Sequence, residues 1–278
     1  AEQGKLATHK FPDGETYVRI DTNCEAKDVV LVTSLDHPDE SFLTLQFTAC
    51  TIREMKPNRI MLVAPYLSYL RQDTRFHPGE AITSKYYARL LSNCIDVLIT
   101  VDPHLHRYKK LDEIYSVPTK VVHAAPLIAE WIQNNVSKPL LVGPDIESEQ
   151  WVANVAEIAA APYIVLKKMR HSDRNVEINV PNLDAWSSHT PVLIDDIIST
   201  AHTLAETITQ IRRKILNSPI CVCVHGIFAE GSEIALKDAG VSRVVTCNTI
   251  SHSSNDIDVI PLITQVTNSL LINTKERS

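Results

Sequence analysis

Two adjacent carboxylates, Asp195 and Asp196, follow the apolar run Val192-Leu193-Ile194 and precede three hydroxyls, those of Ser199, Thr200 and Thr203. A helical spacing then takes over at Leu204, Ile208, Ile211 and Ile215. The pattern predicts a strand that stops, a tight turn and a helix that begins. Exposed N–H groups at such a helix start, with hydroxyls beside them, make a site for a phosphate dianion. Carboxylates at the carboxyl end of a strand lie where open α/β sheets bind ligands. One of them can face sugar hydroxyls or a Mg²⁺ ion. The same residues also suit a plain strand end with an Asp N-cap and a hydroxyl-supported turn.

Other stretches carry chemistry of a related kind. A long segment after the apolar run 60–64 holds Arg71, Gln72, Asp73 and Arg75. Arginines can clamp phosphates, and Gln72 can hydrogen-bond a base edge. Without further support the segment reads as a solvated charged loop. His104 closes the run 97–101 in Asp102-Pro103-His104. A histidine there can bind a metal or a Mg²⁺-linked phosphate, although a lone histidine is more often a hydrogen-bonded surface residue. Lys167-Lys168-Met169-Arg170 follows the run 163–166. Cations on a loop can stabilise charge on a transferring phosphoryl group, and the ordinary alternative is a charged hairpin tip. Near the start, Phe11-Pro12-Asp13-Gly14-Glu15 leads into the alternating Thr-Tyr-Val-Arg-Ile of 16–20, a hairpin pattern with an Asp-Gly turn.

The elements that must position these groups are legible as strand-like runs at 29–33, 60–64, 97–101, 120–122, 140–142, 163–166, 192–194, 220–224 and 243–246. Helical patterns lie between most of them, as at 41–55, 81–93, 127–134, 149–159 and 204–215. Alternating β and α with short polar breaks means parallel sheet. Nine strands suit two sheets better than one, and Pro126, after a strand and before a helix, marks a boundary. The expected fold is α/β, with two doubly wound parallel-sheet domains spanning 1–125 and 126–278. The 278 residues allow two domains of ordinary size. A net charge of −6 argues against a general nucleic-acid or membrane-surface binder, and no apolar run approaches the ~20 residues of a membrane span. The six cysteines lack paired spacing, and most of them lie in apolar segments and read as small buried residues of a reducing, cytoplasmic compartment. Seven glycines, with neither a GxGxxG nor a Walker A motif, argue against a dinucleotide or P-loop site.

Residues 192–204, VLIDDIISTAHTL, resemble the phosphoribosyl-pyrophosphate motif of type I phosphoribosyltransferases and of ribose-phosphate diphosphokinases. His202 stands where that motif has glycine, at a turn position that suits positive φ. The segment from Phe11 to Ile20 resembles the F-x-D-G-E-x-x-V-x-I stretch of the diphosphokinases, whose loop contacts the ATP base of a neighbouring subunit. In that family a strand and helix precede it, so the resemblance implies a segment ahead of Ala1. Residues 65–82 resemble PY-x-x-Y-x-RQD-x-x-F-x-PGE-x-I, which ordinary phosphoribosyltransferases lack. Closing segments at 223–228 and 240–250 also resemble the family and read as structural, His225 included.

The resemblance runs from Phe11 to about Ile250, and is closest to compact archaeal-type members. It implies a type I phosphoribosyltransferase-like fold and a reaction of ATP with ribose 5-phosphate giving phosphoribosyl pyrophosphate and AMP, for nucleotide and NAD biosynthesis. It assigns ATP to Phe11, Asp13, Glu15, Arg71, Gln72 and Asp73. Ribose 5-phosphate falls to Asp195, Asp196, Ser199, Thr200, Ala201, His202 and Thr203. Mg²⁺ is the implied cofactor, with His104 and Asp145 as its ligands, and Lys168 and Arg170 are the catalytic cations. The implied partners are these two small molecules and a second copy of the chain in a homo-oligomer, with no nucleic acid and no membrane. Glu147 and Glu149 stand where the family has a glycine-bearing pyrophosphate loop, and carboxylates there would repel that group. They and His202 motivate a noncatalytic regulatory subunit as one alternative. A phosphoribosyltransferase that consumes phosphoribosyl pyrophosphate is the other.

Overall fold

Apolar runs in this chain become strands buried on both faces, as parallel sheets require. The structure is a computed structural model that describes residues 1–172, 175–215 and 217–272. Two compact units emerge: residues 1–122 together with the segment that starts at Pro261, and residues 123–260.

The first unit opens with an antiparallel hairpin of β1 (Leu6–Lys10) and β2 (Thr16–Ile20). There follow β3 (Asp28–Val32), α1 (Pro38–Glu54), β4 (Arg59–Ala64), α2 (Thr83–Ser92), β5 (Val97–Val101) and β6 (Thr119–Val122). Strands β3 to β6 lie in chain order as a four-stranded parallel sheet. Every residue of β5 is buried, and so is all of β4 except Arg59. Helix α1 has a proline in its first turn, Asp39 and Glu40 beside it, and Arg53 in its last turn. That is the charge order a helix dipole favours. Leu35, Ile60, Leu62, Leu91 and Leu98 form the centre of this core.

The second unit contains α3 (Ala125–Asn135), β7 (Pro139–Gly143), α4 (Glu149–Ala159), β8 (Tyr163–Val165), β9 (Lys167–Ser172) and β10 (Asn175–Asn179). It continues with β11 (Thr190–Ile198), α5 (His202–Arg212), β12 (Ile220–Gly226), α6 (Ser232–Ala239), β13 (Arg243–Cys247) and β14 (Asn255–Ile257). Six strands make a parallel sheet in the order β14-β13-β12-β11-β7-β8, while β9 and β10 pair as a separate antiparallel hairpin. From β7 the chain steps one way to β8 and the other way through β11 to β14. The order therefore reverses between β7 and β11, and ligands of open α/β sheets bind at such a point, outside the strands' carboxyl ends.

The last helix, α7 (Ile260–Ile272), belongs with the first unit rather than with the domain 126–278 expected from the sequence. The reason is a long-range anchor. Arg59 donates to both carboxylate oxygens of Asp28 (3.1 and 3.2 Å) and to the Leu270 carbonyl (2.8 Å). Pro126, read as a boundary, sits in the first turn of α3. Among the described residues, no helix is long and apolar enough to cross a membrane.

Candidate functional site

In the second unit the carboxylates sit inside a strand, not after it. The apolar run suggested that the strand ends at Ile194, but β11 continues to Ile198. Its partner β12 reaches Gly226 and goes on pairing, with Asp195 opposite Cys223 and Ile197 opposite His225. On the other side, β7 pairs with β11 only as far as Leu193. Asp195 and Asp196 therefore lie where β11 outruns β7, at the reversal of strand order.

Their electrostatics follow from that position. Asp196 donates its N–H to the Asp195 carboxylate (3.0 Å). Desolvation by burial raises the Asp195 pKa to about 8, and the negative charges of Asp196 and, more weakly, Asp145 push in the same direction. The neighbouring thiols of Cys221 and Cys223 are held protonated by burial first and by the Asp195 charge second, the former pushed up to about 12. They are small core residues with no nucleophilic role, and Cys24, Cys94 and Cys247 are buried with them while Cys50 is exposed.

After β11 comes the turn of Ser199, Thr200 and Ala201. The left-handed residue is Ala201 (φ 59°), which is the N-cap of α5, and His202 begins the helix itself. Glycine's conformational freedom is thus not demanded of His202, and neither aspartate caps the helix. No side chain caps α5, and its first bond runs from the Ala205 N–H to the Ala201 carbonyl (2.8 Å). The N–H groups of His202, Thr203 and Leu204 are the orphan donors of a helix start, and an anion fits them.

A bracket holds this turn from beneath. The N–H groups of Ile227 and Phe228 both donate to the Ile198 carbonyl (2.9 and 3.2 Å), and that of Ala229 donates to Ser199 (3.1 Å). Phe228 adopts φ 48° and lays its ring over Gly226. A Cβ at Gly226 would lie 2.5 Å from that ring and 3.0 Å from the Thr246 methyl.

Asp145 starts a 3₁₀ turn over Ile146–Ser148 that runs straight into α4 at Glu149. Its carboxylate accepts the Ser148 N–H (3.3 Å) and its carbonyl accepts the Ser148 hydroxyl (2.6 Å). The expected open, glycine-lined cradle is replaced here by a capped turn. Glu149 sits at a helix start, where a carboxylate is favoured. The side chain of Glu147 and those of 167–179 lie outside what the structure describes. Lys168 and Arg170 fall within that stretch, on the backbone of β9.

In the first unit, Phe11, Asp13 and Glu15 occupy the tip of the β1–β2 hairpin. Phe11 donates to the Glu15 carbonyl and Gly14 to the Phe11 carbonyl (both 2.8 Å), with Gly14 at φ 91°. Asp13 accepts the Glu15 N–H (3.1 Å). His9 stacks on Tyr17 with ring centroids 4.3 Å apart, and Phe11 meets both rings edge-on while staying 44% exposed. The hairpin is legible in the alternation of 16–20, whereas the aromatic pair behind Phe11 is not.

Arg71, Gln72 and Asp73 lie on the connection from β4 to α2. Gln72 accepts the Thr83 hydroxyl (3.0 Å). The Asp73 side chain is 1% exposed and ion-paired with Arg107 (2.7 Å), a residue the sequence did not single out. His104 follows β5 just after Asp102, which is buried at φ 29°. That backbone region is sparsely populated by residues other than glycine, and such positions cluster at functional sites.

Among the described residues, no three His, Cys, Asp or Glu side chains converge to hold a metal by themselves. The donor set nevertheless fits Mg²⁺. That ion keeps several waters and is held by one or two carboxylates plus substrate phosphates. Asp195, with two carboxylate charges bearing on it, is a place where a cation is favoured.

Residues 1–94 match the family described as the N-terminal domain of ribose phosphate pyrophosphokinase, and residues 110–260 match the phosphoribosyl transferase domain. The chain is 33% identical to a ribose-phosphate pyrophosphokinase of Methanothermobacter thermautotrophicus, over 94% of this chain and 90% of that one. It is 32% identical to one from Sulfurisphaera tokodaii, over 91% and 87% of the two chains. In fold it is similar to the phosphoribosylpyrophosphate synthetase of Mycobacterium smegmatis, with a TM-score of 0.84 at 20% identity, covering 97% of this chain and 91% of the other.

Proposed function

Because this chain belongs to the ribose-phosphate pyrophosphokinase family, we propose that it makes phosphoribosyl pyrophosphate and AMP from ATP and ribose 5-phosphate. The observation that carries the reading is the reversal of strand order beside β11. It puts two carboxylates and an uncapped helix start next to each other, one suited to sugar hydroxyls and the other to a phosphate. The 5-phosphate takes the N–H groups and hydroxyls of Ser199–Thr203. Asp195 and Asp196 take the ribose hydroxyls.

The anomeric hydroxyl attacks the β-phosphorus of ATP in line and gives up its proton to solvent. The bond from the β-phosphorus to the α,β-bridging oxygen breaks, and AMP leaves with that oxygen. Little covalent chemistry is asked of the protein, so its residues position the reactants and neutralise charge. Lys168 and Arg170 are assigned to the transferring group. In the first unit, Phe11, Asp13, Glu15, Arg71 and Gln72 are assigned to the nucleotide. Mg²⁺, with His104 and Asp145 as its carried-over ligands, would neutralise the polyphosphate when bound. The exposed Phe11 ring is read as a surface for the adenine of a second copy of the chain, so a homo-oligomer is part of the reading.

The relatives favour neither a noncatalytic subunit nor a phosphoribosyltransferase. The direct test is AMP formation from Mg-ATP with and without ribose 5-phosphate. AMP that appears only with the sugar phosphate supports the pyrophosphokinase. No AMP over a range of phosphate and Mg²⁺ concentrations removes it.

Gly226→Ala tests the bracket beneath the phosphate turn. The added methyl must displace the Phe228 ring, and overpacking of this kind costs about 1–3 kcal/mol. The expected result is a lower Tm together with a KM that rises for ribose 5-phosphate and not for ATP. Equal rises in both KM values would show that the bracket does not serve this turn.

A further inference from the structure

Asp73 was expected to touch ATP as the third residue of the Arg71-Gln72-Asp73 segment, but its carboxylate is already engaged. One oxygen accepts from the Arg107 guanidinium (Nη1, 2.7 Å) and the other from the Arg107 backbone N–H (3.1 Å). The Asp73 carbonyl accepts the Tyr108 hydroxyl (3.2 Å), and that hydroxyl also meets the Ser84 hydroxyl (3.2 Å) in the first turn of α2. With 1% of its side chain exposed, Asp73 has no face left for a phosphate, and its charge would repel one.

Arg107 is different. Its side chain is 43% exposed, and its guanidinium lies 5.1 Å above the centre of the Phe76 ring. The aspartate takes one nitrogen and the ring takes one face. The remaining N–H groups of the fork have no protein acceptor among the described residues.

Burying a carboxylate costs desolvation, and here a guanidinium and a backbone N–H offset it. The result is a long cationic side chain held in one rotamer, three residues beyond His104 and tied to the segment that carries Arg71 and Gln72. An arginine ordered in advance, with donors to spare, suits a phosphate: the fork matches its oxygens, and little rotamer freedom remains to be lost.

We propose that Arg107 binds the polyphosphate of the nucleotide and that Asp73 is the positioning residue that aims it. The inference rests on the pyrophosphokinase reading for its ligand and adds a residue to it.

The test compares wild type with Arg107→Ala, Arg107→Lys, Asp73→Asn and the double variant Asp73→Asn/Arg107→Ala. It reads kcat, both KM values and Tm. Arg107→Ala is expected to raise the KM for ATP at least 10-fold and to leave that for ribose 5-phosphate within twofold. Arg107→Lys, which keeps the charge and loses the fork, should recover part of the loss. Asp73→Asn should raise the same KM, and the double variant should be no worse than Arg107→Ala, because both act through one group. A KM for ATP within twofold of wild type in Arg107→Ala overturns the proposal, whatever happens to Tm.

Calorimetric titration with Mg-ATP separates this inference from the reading it rests on. If wild type makes no AMP, the pyrophosphokinase reading fails by itself. A 10-fold weaker ATP affinity in Arg107→Ala still supports the role of Arg107, and unchanged or absent ATP binding overturns it.

Discussion

Asp195→Asn is expected to lose activity about 100-fold or more and, at the same time, to make the ligand-free protein more stable. The loss follows from removing a carboxylate assigned to the ribose hydroxyls, and deleting one preorganised polar group at a reacting centre, such as an oxyanion-hole donor, costs about 10²–10³ in other enzymes. The gain follows from proton linkage. Burial, with Asp196 and Asp145 nearby, raises the Asp195 pKa from the ordinary carboxylate value to about 8. Between those two values the folded chain keeps a proton that the unfolded chain releases. Stability from this group is thus fully present below the unfolded pKa and is lost as pH rises through the folded one. Asparagine keeps the shape and removes the dependence. Melting curves of the ligand-free proteins from pH 5 to 9 should therefore diverge in favour of Asp195→Asn, with the gap levelling off above about pH 8. Parallel curves would sink the argument. Carboxylates that are destabilising without their ligands are what a binding site for cations and sugar hydroxyls entails.

Lys168→Ala carries the second large effect. Charge develops on the transferring phosphoryl group and must be met by a cation in the transition state. The loss of a cation that acts at that point costs about 10³-fold or more in related chemistry. The prediction is a kcat lowered by about that factor, with ATP affinity changed by much less. Single-turnover AMP formation at saturating Mg-ATP is the measurement. A variant that forms AMP at the wild-type rate would remove Lys168 from the chemistry and leave β9 as an ordinary charged hairpin.

Much of the fold was legible because parallel strands buried on both faces are written as uninterrupted apolar runs. All nine runs became strands, and helix 149–159 agreed to the residue. The misreadings have specific causes. Asp195 and Asp196 look like the end of a strand, since polar residues interrupt the run. Pairing with β12 carries β11 past them, and that partner is not encoded locally. Positive φ was expected where glycine is missing, at His202. It occurs at Ala201, and an alanine gives no sign of a left-handed backbone. The candidate site residues could be picked out as types, yet the partner of Asp73 lies 34 positions away and the bracket under Ser199 comes from the far end of β12. α7 gave no signal for its placement, because only Ile263 of it is buried and its anchor is the carbonyl of Leu270 on Arg59.

The return of α7 to the first unit has a consequence for how the chain is made. A ribosome finishes β6 at Val122 and must then synthesise all of residues 123–260 before the last piece of the first unit appears. At about 5–20 residues per second, that interval is roughly 7–28 s. Throughout it Arg59 has Asp28 but no Leu270 carbonyl, while the second unit, contiguous in sequence, can close as soon as it emerges. The unit written first is the one completed last, and a nascent chain stalled before Pro261 holds a second unit complete in sequence and a first unit that still lacks its last helix.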